Sequence, residues 1–234
     1  MKWVKDNTGR FSQRPYYDRD ELDFECERLV ASFLLGKNGQ VRYPICTGDV
    51  ATLVEQEVAD LDLGTDLSGE GDHVDGLTDF YRNTKPKVRI SSALLVPSME
   101  NRLRTTLTHE LGHVKLHSFL WSFGQLPLLG EGACTYSPRC KRDHILAANK
   151  VDWMEWQSGY ACGAYLMPIS QLRQRTARFL QAAGWEGQIP LSSPLAGKLI
   201  GKVMLAFQVS EEAARVRLLR CEILTEEVQP KRLI

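Results

Sequence analysis

The sequence has no excess of charge of either sign. Its 29 Lys and Arg are matched by 29 Asp and Glu over 234 residues. A neutral chain has no global field to draw it to nucleic acid or to an anionic membrane. Its six cysteines, at 26, 46, 134, 140, 162 and 221, include no Cys-x-x-Cys, which argues against a zinc finger. It has no apolar run of membrane length; Lys198 and Lys202 interrupt the C-terminal apolar stretch. Met1-Lys2-Trp3-Val4-Lys5-Asp6 lacks the apolar core of a signal peptide. A cytoplasmic protein with reduced thiols, and no membrane partner, is therefore expected. Internal repeats and low-complexity tracts are also missing.

What is there is an ordinary globular composition, 43% hydrophobic and 25% charged. That supports a buried core without disulfide or metal staples. The charge is unevenly spread. Residues 49–80 hold ten Asp/Glu and no Lys or Arg, whereas residues 171–234 hold ten Lys/Arg and six Asp/Glu. Two differently solvated surfaces explain this; an acidic wall beside a substrate groove is the sharper alternative.

Periodicity predicts a helix over 19–35, with Leu22, Cys26, Leu29 and Phe33 on one face, stopped by Gly36 and Gly39. A second helix is predicted over 47–61 with Thr47 as its cap, then a Gly- and Asp-rich loop over 64–76. Residues 76–81 and 87–91 read as two short strands. A long helix from Pro97-Ser98 to about Ser118 follows, with Ser98 as expected N-cap and Leu103, Leu107, Leu111 and Val114 as core stripe. Residues 122–149 read as irregular. Helices are predicted over 151–167, 170–183, 194–207 and 211–223. The fold class expected is α+β: mainly helical, with a small antiparallel sheet. An N-terminal helical segment (1–45) packs on a core domain (46–170), and a helical C-terminal segment (171–234) follows.

The chemistry lies in Thr108-His109-Glu110-Leu111-Gly112-His113. Two histidines four residues apart sit one helical turn apart on one side, so both rings can reach one metal ion at about 2 Å. Glu110 is rotated off that direction and suits a base that deprotonates a metal-bound water. Imidazole and carboxylate ligands with an open position fit a single Zn2+ per chain.

Zinc needs a third protein ligand. His117 is one turn further, but three histidines along one straight helix cannot all face one ion, because His109 and His117 are about 12 Å apart along the axis. His117 is expected beside the ligands or in packing. Leu116 and Phe119 occupy the positions where a metzincin needs Gly and His. Glu155 is the better candidate. Trp153, Trp156, Tyr160, Ala164 and Met167 form the apolar stripe of its helix, and Glu155 falls beside the small residues Ser158, Gly159 and Cys162, which let another helix approach. Asp152, Glu131 and Asp143 stand as weaker alternatives. Cys134 and Cys140, with His144 nearby, read as a reduced pair or a second metal site.

The run Glu100–His113 resembles the active-site helix of the ImmA/IrrE family of metallopeptidases. Asp152-Trp153-Met154-Glu155-Trp156-Gln157, through Leu166-Met167-Pro168, is similar to that family's second signature, and Lys87–Ser91 to the strand before its active-site helix. Together the similar segments span about 45–170. The resemblance implies a zincin-like domain, the ligand set His109, His113 and Glu155, and a protein substrate of the repressor type, from a mobile element or a stress response. Ser158-Gly159 and Ala161-Cys162 depart from the Ala-Asn and Phe-Ala often found in the family.

The function expected is peptide-bond hydrolysis with Glu110 as base. The alternative is a zinc-containing regulator that binds a partner or DNA without cleaving. Tyr160, Tyr165 and His117 are candidates to stabilise the transition state. Val88, Arg89 and Ile90 are candidates to pair with an extended substrate. The 211–223 helix resembles a recognition helix, but zero net charge and Glu211-Glu212 at its start argue against DNA and for packing on the core.

Overall fold

The computed structural model describes residues 1–71, 73–121 and 152–226, and the backbone of two short strands at 134–136 and 139–141. It is a mixed α and β fold dominated by helices. The chain opens with a hairpin absent from the sequence expectation for 1–45. β1 (Lys2–Lys5) runs antiparallel to β2 (Gln13–Tyr16). Buried Asp6 closes it, accepting from the amides of Thr8 and Phe11 and from the Trp153 indole.

α1 (Arg19–Asn38) starts at a capping box between Asp18 and Glu21 and ends at Gly39, whose φ of 67° suits glycine. α2 (Thr47–Glu57) is capped by the Cys46 thiol, which accepts from the Asp49 amide; Thr47 is already inside the helix. The helix stops short of the expected Leu61 because β3 (Asp60–Thr65) begins there, alternating exposed and half-buried residues. β4 (Val74–Tyr81) and β5 (Lys87–Ser91) follow. A 3₁₀ turn, Pro97–Met99, leads into α3 (Glu100–His117). Ser98 lies within that turn and does not cap; Met99 holds the N-cap position with no side-chain bond.

β6 (Cys134–Tyr136) and β7 (Arg139–Lys141) come next. α4 (Trp153–Leu166) is capped by Asp152, and α5 (Ile169–Ala183) ends at Gly184. β8 (Ile189–Pro190), α6 (Pro194–Phe207), α7 (Glu211–Arg220) and β9 (Leu224–Thr225) complete the described chain. Ser193 and Ser210 cap α6 and α7 through their hydroxyls. No helix among the described residues is long and apolar enough to cross a membrane.

The main sheet has the order β3-β5-β4, with β6 and β7 both on the outer edge of β4. β5 is parallel to β3 and antiparallel to β4. It is thus an inner strand with both edges filled. The expectation that Val88, Arg89 and Ile90 receive a substrate strand is corrected: their backbone faces β3 and β4, and Arg89 reaches Asp79 at 2.9 Å.

α3 is the axis of the molecule. Every residue from Leu103 to Val114 is buried, so that stretch of the helix has no wet face. α2, α4 and β4 surround it. A polar helix buried all round is costly unless its polar groups find partners. Two glycines permit the close packing. A Cβ on Gly112 would lie 2.9 Å from the Ser158 Cα on α4, and one on Gly76 of β4 would lie 2.7 Å from a Thr106 methyl and 2.8 Å from Glu110 Oε1.

The C-terminal helices share this core: Leu22 and Val30 of α1, Leu107 of α3, and Leu199, Phe207 and Leu218 of α6 and α7 belong to one apolar cluster. Two buried arginines pin them. Arg104 donates to the Ile45, Phe207 and Gln208 carbonyls, and Arg217 to Asp23 and the Met167 carbonyl. Half of the acid-rich stretch is matched by cations: Lys37 pairs with Asp49, Lys115 with Glu57, Arg102 with Asp75, and Arg89 with Asp79 and Glu70.

Candidate metal centre

α3 and α4 bring three donor groups to one point. His109 Nε2 lies 3.1 Å from His113 Nε2. Glu155 Oε2 is 3.3 Å from His109 Nε2, and Glu155 Oε1 is 3.3 Å from His113 Nε2. Both imidazoles are fully buried, and the Glu155 side chain is 14% exposed. These residues form a group that could hold a metal ion. The triangle fits one. Ligands about 2.0 Å from a tetrahedral ion stand about 3.3 Å apart, by the geometry of such sites. The small-residue reading of α4 is met where Gly112 faces Ser158, and that approach carries Glu155 to the histidines.

Burial pushes Glu155 toward its neutral form, but the His113 and His109 imidazoles outweigh it and hold the carboxyl far below the ordinary range. Glu110 behaves in the opposite way. Burial raises its pKa against the pull of His113, His109 and Thr78. Its Oε2 accepts from the Thr78 hydroxyl of β4 at 2.5 Å, and its Oε1 is buried without a hydrogen-bond partner among the described residues. Glu110 is therefore rotated away from the donor triangle, as its place between the histidines predicts. It keeps one oxygen free for a proton.

His117 lies outside the donor group. Its Nδ1 lies 3.3 Å from His113 Nδ1, and its Nε2 lies 2.9 Å from Gln157 Oε1. Gln157 Nε2 in turn donates to the Pro15 carbonyl of β2 at 3.0 Å. Burial beside His113 pushes the His117 pKa well down. Asp152 is removed as a ligand: it caps α4 and pairs with Arg10 at 2.8 Å. Tyr160 and Tyr165 are removed as transition-state partners. Tyr160 is buried, donates to Asp23 at 2.9 Å and lies between Arg217 and Arg220. Tyr165 is buried beside Cys26 of α1. Cys162 also turns from the donor triangle. Its thiol donates to the Thr105 carbonyl, accepts from Thr108, and is pushed up to about 11 by burial. Glu131, Asp143, His144 and the side chains of Cys134 and Cys140 lie outside the described residues.

The chain matches no protein-family model and no curated protein.

Sequence reasoning missed Gly76, Thr78 and Gln157. A glycine inside a strand does signal close backbone approach, and Gly76 carried that signal two residues before Thr78. Gln157 carried none. The arginines of α7 are engaged inside the chain: Arg215 pairs with Glu212, Arg217 with Asp23, and Arg220 donates to the Gly159 carbonyl. That favours the packing role for this helix over a DNA-reading one.

Proposed function

We propose that the chain is a zinc-dependent metallo-endopeptidase, with His109, His113 and Glu155 as ligands and Glu110 as base. One observation carries the reading: a buried triangle of metal-type donors beside a separately anchored carboxylate with a free oxygen. Two carboxyl groups driven in opposite directions by one cavity are the pattern of divided ligand and acid–base roles. The resemblance to the ImmA/IrrE family supports the same assignment, and the substrate class, a repressor-type regulator, rests on that resemblance.

Zinc held by His109, His113 and Glu155 would supply Lewis acidity to a water and to the scissile carbonyl. Glu110 receives the water's proton on Oε1 while Thr78 steadies Oε2, then passes it to the leaving amine. Glu155 offsets the metal's charge and completes the ligand set. The surrounding burial keeps bulk water from the proton-carrying oxygen.

The test is a pair of variants assayed for bound zinc by metal analysis and for cleavage on co-expression with products of neighbouring genes. Glu110→Gln should retain one zinc per chain and lose cleavage by about 10²–10⁴-fold. Glu155→Ala should lose the zinc itself, by more than the roughly 100-fold typical of an outer partner. Cleavage retained in Glu110→Gln would sink the mechanism. Wild-type chain that holds zinc yet cuts nothing would favour the partner-binding regulator.

A further inference from the structure

We propose that His117 is a positioning residue: with Gln157 and the Pro15 carbonyl it locks a hydrogen on His113 Nδ1, so that Nε2 is the nitrogen left to bind beside Glu155 and His109. The argument starts at the far end of the chain of contacts. The Pro15 carbonyl can only accept, so the Gln157 atom 3.0 Å away must be its NH2 group. That fixes the amide and turns its oxygen toward His117, 2.9 Å from Nε2. An amide oxygen also only accepts, so His117 Nε2 carries a hydrogen.

His117 is fully buried, with the Trp153 ring edge-on and the neutral Gln157 beside it. A second proton would leave a buried cation with no carboxylate in contact. Its Nδ1 is then an acceptor. The Nδ1 of His113, 3.3 Å away, must donate to it. Whatever the charge of the ring, His113 keeps its hydrogen on Nδ1, and the nitrogen left to bind a metal is Nε2, the one in the donor triangle.

The relay has a second consequence. Its last acceptor belongs to the N-terminal hairpin, which neither active-site signature includes. β2 therefore takes part in presenting a ligand on α3, more than 90 residues on. Asp6 and Arg10 hold the same hairpin to the start of α4, through Trp153 and Asp152. Among the described residues His109 has no such support: its Nδ1 is buried without a hydrogen-bond partner there. The two ligands of one motif are thus unequally fixed, and the relay acts on His113 alone.

The inference rests on the metal reading only for what His113 Nε2 is used for, so the test separates the two. Metal-free full-length chain labelled with ¹⁵N-histidine reports each ring's tautomer by two-bond nitrogen–proton couplings. His113 should be Nδ1–H and His117 Nε2–H. Gln157→Leu should release both rings into mixed tautomers and weaken zinc, read by chelator competition, by about 10–100-fold. Gln157→Glu, whose carboxyl group when kept neutral by burial donates to the Pro15 carbonyl and accepts from His117 as the amide does, should restore the His113 tautomer. This second variant separates the relay from a general loss of packing. A wild-type His113 whose Nδ1 carries no hydrogen overturns the proposal. So does a His113 tautomer unchanged in Gln157→Leu. A wild-type chain that shows these tautomers but takes up no zinc supports the relay and overturns the metal reading instead.

Discussion

Two walls flank the histidines of α3, and each controls one carboxyl group. The α4 wall supplies Glu155 directly, from its first turn, and presses so close that Gly112 faces Ser158. The β4 wall supplies no ligand. It places Thr78 against Glu110 and leaves room for that side chain by carrying glycine at position 76. One wall thus holds an ionised carboxylate between imidazoles, and the other holds a carboxyl group in a nearly sealed space where burial favours protonation. The difference teaches how one small cavity can divide binding from proton transfer. On the proposed reading, the ligand is fixed by charge, the base by a hydroxyl and by exclusion of water.

Removing the support behind α4 should give the largest effect. Tyr160 of α4, Asp23 of α1 and Arg217 of α7 form one buried network. Asp23→Ala leaves the Arg217 guanidinium uncompensated in the core. A loss of about 3–5 kcal/mol is expected in urea unfolding, the usual cost of orphaning one member of a buried ion pair. Zinc uptake should fall with it. A change below about 1 kcal/mol would mean that α4 stands without this backing.

Gly112→Ala acts at the wall itself. The new methyl would meet Ser158 backbone at 2.9 Å, and neither helix has a flexible side chain to yield there. About 1–3 kcal/mol of overpacking strain is expected. Because the strain pushes α4 outward, zinc affinity should suffer more than cleavage per bound zinc. Thr78→Val tests the other wall with a near-isosteric change. It removes the hydrogen bond to Glu110 Oε2 and should leave zinc affinity unaltered. Turnover should drop about 10-fold, the rate equivalent of one weakened charge-assisted bond. Lost zinc in Thr78→Val, or intact affinity in Gly112→Ala, would break the division between the walls.

The two walls were unequally legible in the sequence. The α4 wall could be read, because small residues beside Glu155 announce helix approach and the pattern is local. The histidines and Glu110 were legible for the same reason: a four-residue spacing fixes their faces on a helix. α6 matched its predicted range because Ser193-Pro194 marks its start unambiguously. The β4 wall was not readable, since the pairing of Thr78 with Glu110 and of Gln157 with Pro15 joins residues far apart in the chain with no periodic trace. One omission had a further effect. Asp60-Leu61 continues from α2 without a breaker and Gly64-Thr65 opens a Gly- and Asp-rich run, so β3 was split between the predicted helix and the predicted loop. With β3 hidden, β5 looked like an edge, and a substrate strand was assigned to a place already filled.

The smallest expected effect concerns the hairpin that reaches both the α4 wall and the His117 relay. Asp6 is its anchor. Burial raises the cost of its charge, but the Thr8 amide and hydroxyl, the Phe11 amide and Arg10 outweigh that and hold the carboxyl below 3.8. A folded pKa below the unfolded one means that the stabilisation is complete above about 3.8 and is lost as pH falls through the folded value. Exchange protection of the Thr8 and Phe11 amides should therefore be flat from neutral pH down to mild acid, then drop. Asp6→Asn keeps an acceptor but not the charge, so its protection should be lower at neutral pH and should lack the acid step. Since the Trp153 indole also donates to Asp6, the start of α4 should loosen with the hairpin while Thr78 and Glu110 stay in place. Loss of Thr78 protection in the same acid step would show that the hairpin and the β4 wall are one unit, and that the walls are less independent than their chemistry implies.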